Sequence, residues 1–336
     1  GRPNGNINLK YSLKPLLKIL SKELGIKVLF SSDCIGDEAT KKKKNLKNGQ
    51  VLLLENVRFH KGEEINNKDF SANLASNCDL YINDAFSCSH RNHASIIGVT
   101  NYLPSFSGLN LEKEILALDS VLTNPKKPVI SIVGGSKVST KIGIIKFLAL
   151  KMDFVIIGGA MANTFIAAMG NKVGKSLHEK GALNIAREII EFTKNNDCKL
   201  ILPNDVVVAK TLSKEAETIN TSIKNIPTEM MALDIGSNSI KVIKKIISNS
   251  STLLWNGPLG AFEISPFDHG TTEIANFVAK KTKTKQLISV AGGGDTISAL
   301  NNAGVTDNFS YVSTAGGAFL EWLEGKELPG ISAMCK

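Results

Sequence analysis

The sequence predicts an α/β fold: two doubly wound, Rossmann-like parallel-sheet domains joined by a linking helix. Three observations carry that expectation. Short apolar, β-branched runs recur through the 336 residues, and most are continuous rather than alternating, as strands buried on both faces of a parallel sheet are. Helical stretches separate them, and repeated strand–helix–strand order marks the α/β class. A length above 300 with 43% hydrophobic residues favours two cores over one.

Taken in order, the expected strands are KVLF (27–30), VLLL (51–54), DLYIND (79–84), VISIV (129–133) and FVIIG (154–158), followed by KLILP (199–203), TLLW (252–255), LISVA (287–291) and SYVST (310–314). The clearest helical patterns are 140–151, 183–196 and 240–249. Residues 107–128 carry a long amphipathic pattern closed by Asn-Pro and Lys-Lys-Pro. It lies between two groups of strands and reads as the linking helix, 107–124, between an N-terminal domain (1–106) and a larger C-terminal one (125–325). No internal repeat or low-complexity tract stands out.

Composition excludes several classes. No run of 18 apolar residues is present, so no transmembrane helix is expected. The opening GRPNGNINLKYSLK has no apolar core of a secretory signal, and charge and apolar content are too balanced for disorder. Five scattered cysteines without a Cys-x-x-Cys pair point to a reducing compartment, the cytoplasm. The formal charge of +9 suits an anionic ligand. Its only dense run, Lys41 to Lys44, has no neighbouring aromatics for base stacking, so small anions are expected rather than nucleic acid.

In doubly wound sheets ligands bind beyond the carboxyl ends of the strands. Four of those ends are glycine-rich and open helices: Gly134-Gly135-Ser136-Lys137 through Lys141, Gly158-Gly159-Ala160-Met161, Gly292-Gly293-Gly294-Asp295-Thr296, and Ala315-Gly316-Gly317-Ala318. Glycines let backbone N–H groups approach a phosphate, lysines add charge, and Ser139 or Thr140 offers a helix cap. Tight βα turns alone explain any one of them; four together point to a phosphate-rich ligand. The first is not a Walker A loop, because its spacing is wrong. Asp295 is read both as a helix N-cap and as a magnesium ligand, since a carboxylate facing phosphates needs a cation between them.

The N-terminal half instead offers isolated arginines, Arg2, Arg58 and Arg91, beyond strand ends or in loops, whose guanidinium forks match carboxylate and phosphate. Cys88, His90 and His93 mimic a zinc spacing but lack an evident fourth ligand.

With these pieces in place, the chain resembles the phosphoglycerate kinase family. The matching stretches are GRPNG (1–5), LLLENVRFHKGEE (52–64), YINDAFSCSHRNHAS (81–95), GGSKVSTKI (134–142), IIGGAMANTF (156–165), LPNDVVVA (202–209), WNGPLGAFE (255–263), GGGDT (292–296) and STAGGAFLEWLEGKELPG (313–330). They run in the family's order from end to end. The resemblance implies a hinge-bending kinase that moves the γ-phosphoryl of MgATP reversibly to the carboxylate of 3-phosphoglycerate, giving ADP and 1,3-bisphosphoglycerate in glycolysis and gluconeogenesis. It implies a 3-phosphoglycerate site in the N-terminal domain, with 326–336 returning to that domain, and a nucleotide site in the C-terminal one. Residue by residue, it gives Gly1, Arg2, Arg58 and Arg91 to 3-phosphoglycerate and Lys137 to the phosphoryl group in transfer. Lys141, Asn256, Glu263, Gly293, Gly294, Asp295 and Thr296 go to the nucleotide, with Asp295 at Mg2+, and Leu202, Pro258 and Ala261 line the adenine slot. A cytoplasmic monomer is expected, without nucleic acid or membrane partners.

The chemistry fits. A carboxylate acceptor with a pKa near ~3.5 is ionised at neutral pH, so no general base is needed and catalysis reduces to positioning and charge stabilisation.

The family opens with a strand bearing Arg-Val-Asp-Phe-Asn-x-Pro, a helix with a catalytic arginine, and a strand ending in His. None of these precedes Gly1, so a chain lacking that segment is expected, with an incomplete first domain. Ser87, Ala160 and Ala315 also stand where the family commonly has glycine. The alternatives are a nucleotide-binding but catalytically incompetent chain of the same family, a nicotinamide-dependent dehydrogenase and a nucleic-acid binder. The second needs a G-x-G-x-x-G fingerprint that is not found; the third rests on charge alone.

Overall fold

The computed structural model describes residues 1–334; Cys335 and Lys336 lie outside the described residues. The chain forms two compact units, unit 1 from residues 1–112 with 327–334, and unit 2 from residues 113–326. The passage between them falls inside the helix Leu109–Leu122.

Unit 1 contains β1 (Val28–Ser31), β2 (Val51–Leu54), β3 (Tyr81–Asn83) and β4 (Ser105–Ser107). β1 and β2 pair in parallel with Val28 opposite Val51, and β3 and β4 pair in parallel with Tyr81 opposite Ser105. These are two separate two-stranded sheets. Cys34, Phe70 and Ala94 form a small buried cluster, with Ile35, Leu54, Val57 and Leu74 against it. The helix Leu17–Leu24 is amphipathic by sequence yet buries none of its residues.

Unit 2 contains β5 (Val129–Val133), β6 (Phe154–Ile157), β7 (Lys199–Ile201), β8 (Asp205–Ala209), β9 (Ile219–Ser222), β10 (Met231–Ile235), β11 (Thr252–Asn256), β12 (Ile288–Gly292) and β13 (Tyr311–Ser313). Six of them form one parallel sheet in the order β13-β12-β11-β5-β6-β7. β5 and β11 are buried at every position, which is why VISIV and TLLW read as continuous rather than alternating runs. Ile130, Ile132, Leu253 and Trp255 share a core with Ile240, Ile243, Ile247, Ile274 and Val278, the apolar faces of the helices Ser237–Ser248 and His269–Lys283. At about 25 cal/mol per Å2 of apolar surface removed from water, such burial dominates the stability of the unit. It fixes β5, β11 and β12 side by side, with their carboxyl ends together.

The sequence reading did not anticipate β4, β8, β9 or β10. The last three make a smaller antiparallel sheet in the order β10-β8-β9. The polar β9, three of whose four residues are exposed, lacks both the alternating and the continuous apolar signal. No helix among the described residues is long and apolar enough to cross a membrane.

Candidate active site

The glycine turns of unit 2 pack backbone against backbone. A Cβ on Gly134 would overlap Pro258 O, and Gly257, at φ +111°, presses against Gly134. This close approach lets the ends of β5 and β11 line a single cleft. Its outer part, of about 470 Å3, is lined by Gly135, Ser136, Leu177, Leu212, Met231, Pro258, Ala261, Phe262, Glu263 and Asp295, among others. Its inner part, of about 300 Å3, shares Gly135, Ser136 and Asp295 with the outer one and adds Lys137, Thr140, Lys141, Asn256, Gly293, Gly294 and Thr296. All eight C-terminal residues singled out from the sequence therefore meet in one place, together with Pro258 and Ala261. Leu202 is not among the lining residues, and the apolar walls come from Leu177, Leu212, Met231 and Phe262 instead. Sequence reasoning missed those four because nothing local marks an apolar residue as cleft wall rather than core.

The cleft residues divide by what they touch. The Lys141 ammonium donates to Gly134 O (2.7 Å), Asn256 O (3.1 Å) and Asn256 Oδ1 (2.6 Å). Burial pushes it down to about 8, against the opposing pull of Asp295. The Asn256 amide donates on to Gly292 O (2.8 Å), and Thr296 Oγ1 accepts from Gly257 N (2.7 Å). These three hold the strand ends in register. Lys137, Gly294, Asp295 and Glu263 are exposed toward solvent in the cleft.

Two capping expectations are corrected. The helix Ile142–Ala149 has Lys141 at its N-cap and no side-chain cap bond; Thr140 Oγ1 donates to Lys137 O, and Ser139 is taken up by Glu179. The helix Gly294–Asn302 has Gly293, at φ +98°, as its N-cap, so Asp295 sits in the first turn rather than capping it. Its carboxylate beside the N-terminal N–H groups leaves phosphate donors and a hard oxygen ligand next to each other. An oxygen donor of this kind suits magnesium, which keeps several waters and takes one or two carboxylates plus phosphate oxygens.

In unit 1, Gly1 and Arg58 line a cavity of about 230 Å3 with Asn56, Glu63, Cys88, His93 and Ser95. Arg58 Nη1 donates to Gly1 O (3.2 Å). Glu63, 2% exposed, accepts from Ser95 N (2.9 Å) and Ser95 Oγ (2.5 Å), with His93 Nδ1 at 3.5 Å. Burial holds His93 below its ordinary value; Glu63 opposes this, and Arg58 and Arg91 reinforce it. Arg2 and Arg91 are not among the lining residues. Arg2 is exposed, and the Arg91 Nε is buried without a hydrogen-bond partner.

Among the described residues, one group brings three metal-type ligand atoms within 4.8 Å: Asp33, Cys34 and His60. Cys88, His90 and His93 do not form such a group. Asp33 Oδ1 already takes His60 Nε2 and Cys34 N, each at 2.6 Å. Burial pushes the Cys34 thiol up to about 12, so it keeps its proton and packs in the apolar cluster.

The sequence profile of phosphoglycerate kinase matches residues 1–326. The chain belongs to the phosphoglycerate kinase family. It is 52% identical over 334 residues to the phosphoglycerate kinase of Methylorubrum populi, covering 99% of this chain and 84% of that one. It is 50% identical over 333 residues to that of Bartonella bacilliformis, covering 99% and 83%. A solved phosphoglycerate kinase from Coxiella burnetii superposes with a TM-score of 0.93 at 42% identity, covering 100% of this chain and 84% of that one. The Pyrococcus horikoshii enzyme superposes with 0.79 at 29% identity, covering 96% and 82%. The fold is thus that of a two-domain Rossmann-like kinase, and the activity is glycolytic phosphoryl transfer.

Proposed function

We propose that the cleft of unit 2 binds ATP and ADP, and that unit 1 binds 3-phosphoglycerate through Gly1, Arg2, Arg58 and Arg91. The observation that carries the first half is the convergence of Lys137, Lys141, Gly293, Gly294 and Asp295 on one cavity at the ends of β5, β11 and β12. The adenine lies in the apolar outer part against Pro258 and Ala261, and the ribose reaches Glu263. The phosphates lie over the N–H groups that open the helix at Gly294. Asp295 holds Mg2+, which when bound neutralises phosphate oxygens. Lys137 follows the phosphoryl group as it moves, stabilising charge that develops in transfer. Asn256 and Thr296 keep the two phosphate-facing turns at fixed separation. The acceptor carboxylate is already ionised, so no residue has to take a proton.

For unit 1, the support is the cavity shared by Gly1 and Arg58 and the charge both Arg58 and Arg91 impose on His93. The domain reading, 1–106 and 125–325 around a linking helix 107–124, is kept as part of this proposal. So are a cytoplasmic location, supported by the scattered cysteines, and a monomeric state, which light scattering on a sizing column tests directly.

The decisive experiment is Lys137→Ala. Removing one preorganised charge from a transferring group costs on the order of 10²–10³ in kcat, whereas ADP affinity is expected to change little. A variant with undiminished kcat refutes the role given to Lys137.

A further inference from the structure

We propose that Glu179 is a positioning residue for phosphoryl transfer: its carboxylate grips Ser139 and so fixes the turn that presents Lys137 to the cleft. This rests on the reading of Lys137 above.

Glu179 lies 40 residues from Ser139 in sequence. Ser139 N donates to Glu179 Oε2 at 3.0 Å, and Ser139 Oγ donates to Oε1 at 2.5 Å. Both oxygens are thus used on one residue, a two-point grip that sets orientation as well as distance. Lys137 stands two residues before Ser139 and makes no side-chain hydrogen bond of its own among those described; it is exposed beside the cleft. The turn has few other anchors: the Val138 side chain is buried, Thr140 Oγ1 donates to Lys137 O at 3.0 Å, and Lys141 N donates to Val138 O at 2.9 Å. The last two bonds are internal to the turn and move with it.

Glu179 is itself held from behind. Its N–H donates to Thr164 Oγ1 at 3.0 Å, and Asn163 Nδ2 donates to Leu177 O at 3.2 Å. Asn163 and Thr164 are buried on the helix Gly159–Ala168. Ser176 Oγ accepts from Ala232 N on β10 at 2.9 Å. Residues 176–179 are therefore pinned to the rigid part of unit 2, and Glu179 transmits that rigidity to an otherwise solvent-facing turn. Partial burial works against ionisation, yet the bonds from Ser139, with Lys137 alongside, hold the Glu179 carboxyl below its usual range, so the grip is ionic throughout the neutral range. Leu177 lines the base side of the same cleft, so one short segment touches both the base wall and the catalytic turn.

A displaced lysine loses more in the transition state than in ground-state binding. Glu179→Ala is expected to lower kcat about tenfold with KM for ATP within about twofold, the signature of an interaction expressed in transfer. Glu179→Gln, which keeps one acceptor, is expected to recover part of the loss. The test is the double variant: in a Lys137→Ala background, Glu179→Ala is expected to lower kcat less than about twofold, because there is no ammonium left to position. The ratio of ATP to ADP dissociation constants, measured on the same four proteins, reads the same coupling without turnover. Equal losses from Glu179→Ala in both backgrounds, or no loss in either measurement, overturn the positioning role. A Lys137→Ala protein that keeps both kcat and the ATP-to-ADP ratio overturns the Lys137 reading and this proposal with it. A loss on Lys137→Ala without one on Glu179→Ala overturns this proposal alone.

Discussion

The two units solve the same packing problem to different degrees. In unit 2, six parallel strands run side by side and β5 and β11 are buried along their whole length. In unit 1, four short strands form two separate pairs, and side chains such as Ile82 and Phe106, each 55% exposed, stand in solvent. Among the described residues, thirteen of the twenty large hydrophobic side chains found exposed belong to unit 1, the smaller of the two. A strand is stabilised by what covers both its faces and both its edges, and the cleft of unit 2 inherits its rigidity from strands that have all four. Paired apolar strands with bare edges offer further strands or apolar surfaces a place to add.

The largest expected effect contrasts Trp255 with Phe106. Trp255 is fully buried on the central strand β11, and its Nε1 donates to Gly257 O at 2.7 Å. Trp255→Ala is expected to cost about 3–5 kcal/mol, read as a shift of the denaturant midpoint of unit 2. Phe106→Ala, on β4 of unit 1, is expected to stay within about 0.5 kcal/mol. Equal costs would erase the distinction between the two units.

The best-built part of unit 1 sharpens the contrast. Glu63 is buried and takes both Ser95 donors, so Glu63→Ala leaves those donors unmet and is expected to cost about 1–3 kcal/mol. A cost near zero would mean that water replaces the carboxylate and that unit 1 is open even there. Native-state amide exchange extends the comparison to the backbone: amides of β1 to β4 are expected to exchange faster than those of β5, β11 and β12, because local opening there exposes little that was sealed.

These differences also set what the sequence makes legible. Runs such as VISIV and LISVA announce unit 2 because burial on both faces removes the polar alternation. The residues that meet in the cleft of unit 2 were legible because they cluster at strand ends in short motifs, GGSKVSTK and GGGDT, where local chemistry and spatial proximity coincide. β9 was not, since INTS is polar and exposed on three of its four residues. Nor were Leu212 and Met231, whose place in the cleft depends on the β8–β10 sheet. Glu179 was invisible for a different reason: its partner is 40 residues away and neither residue belongs to a motif that names the other. The caps expected of Ser139 and Asp295 failed because Glu179 engages Ser139 while Lys141 stands at that N-cap, and Gly293 stands at the other.

The smallest expected effect concerns the charge at the centre of unit 2. Lys141 is partly buried, and that burial lowers its pKa to about 8. The sign follows from which form each state prefers. The unfolded chain holds the proton up to the ordinary lysine value of about 10.4, whereas the folded cleft releases it near 8. Between those two values the unfolded state binds more protons, so this group's contribution to stability rises with pH. Nucleotide affinity runs the other way, because only the ammonium attracts phosphate: ADP is expected to bind progressively more weakly from pH 7 to pH 9, by a few-fold, as one charge-assisted contact is lost. Lys141→Arg, which stays charged, is expected to flatten that slope even where it lowers affinity overall. Isothermal titration of ADP across the range, at constant ionic strength, reads the difference. A wild-type slope that persists unchanged in Lys141→Arg would locate the titrating group elsewhere and leave Lys141 as a brace between Gly134 and Asn256. Three acceptors already surround its ammonium, so a phosphate has to displace at least one of them, and that exchange is what keeps the expected effect small.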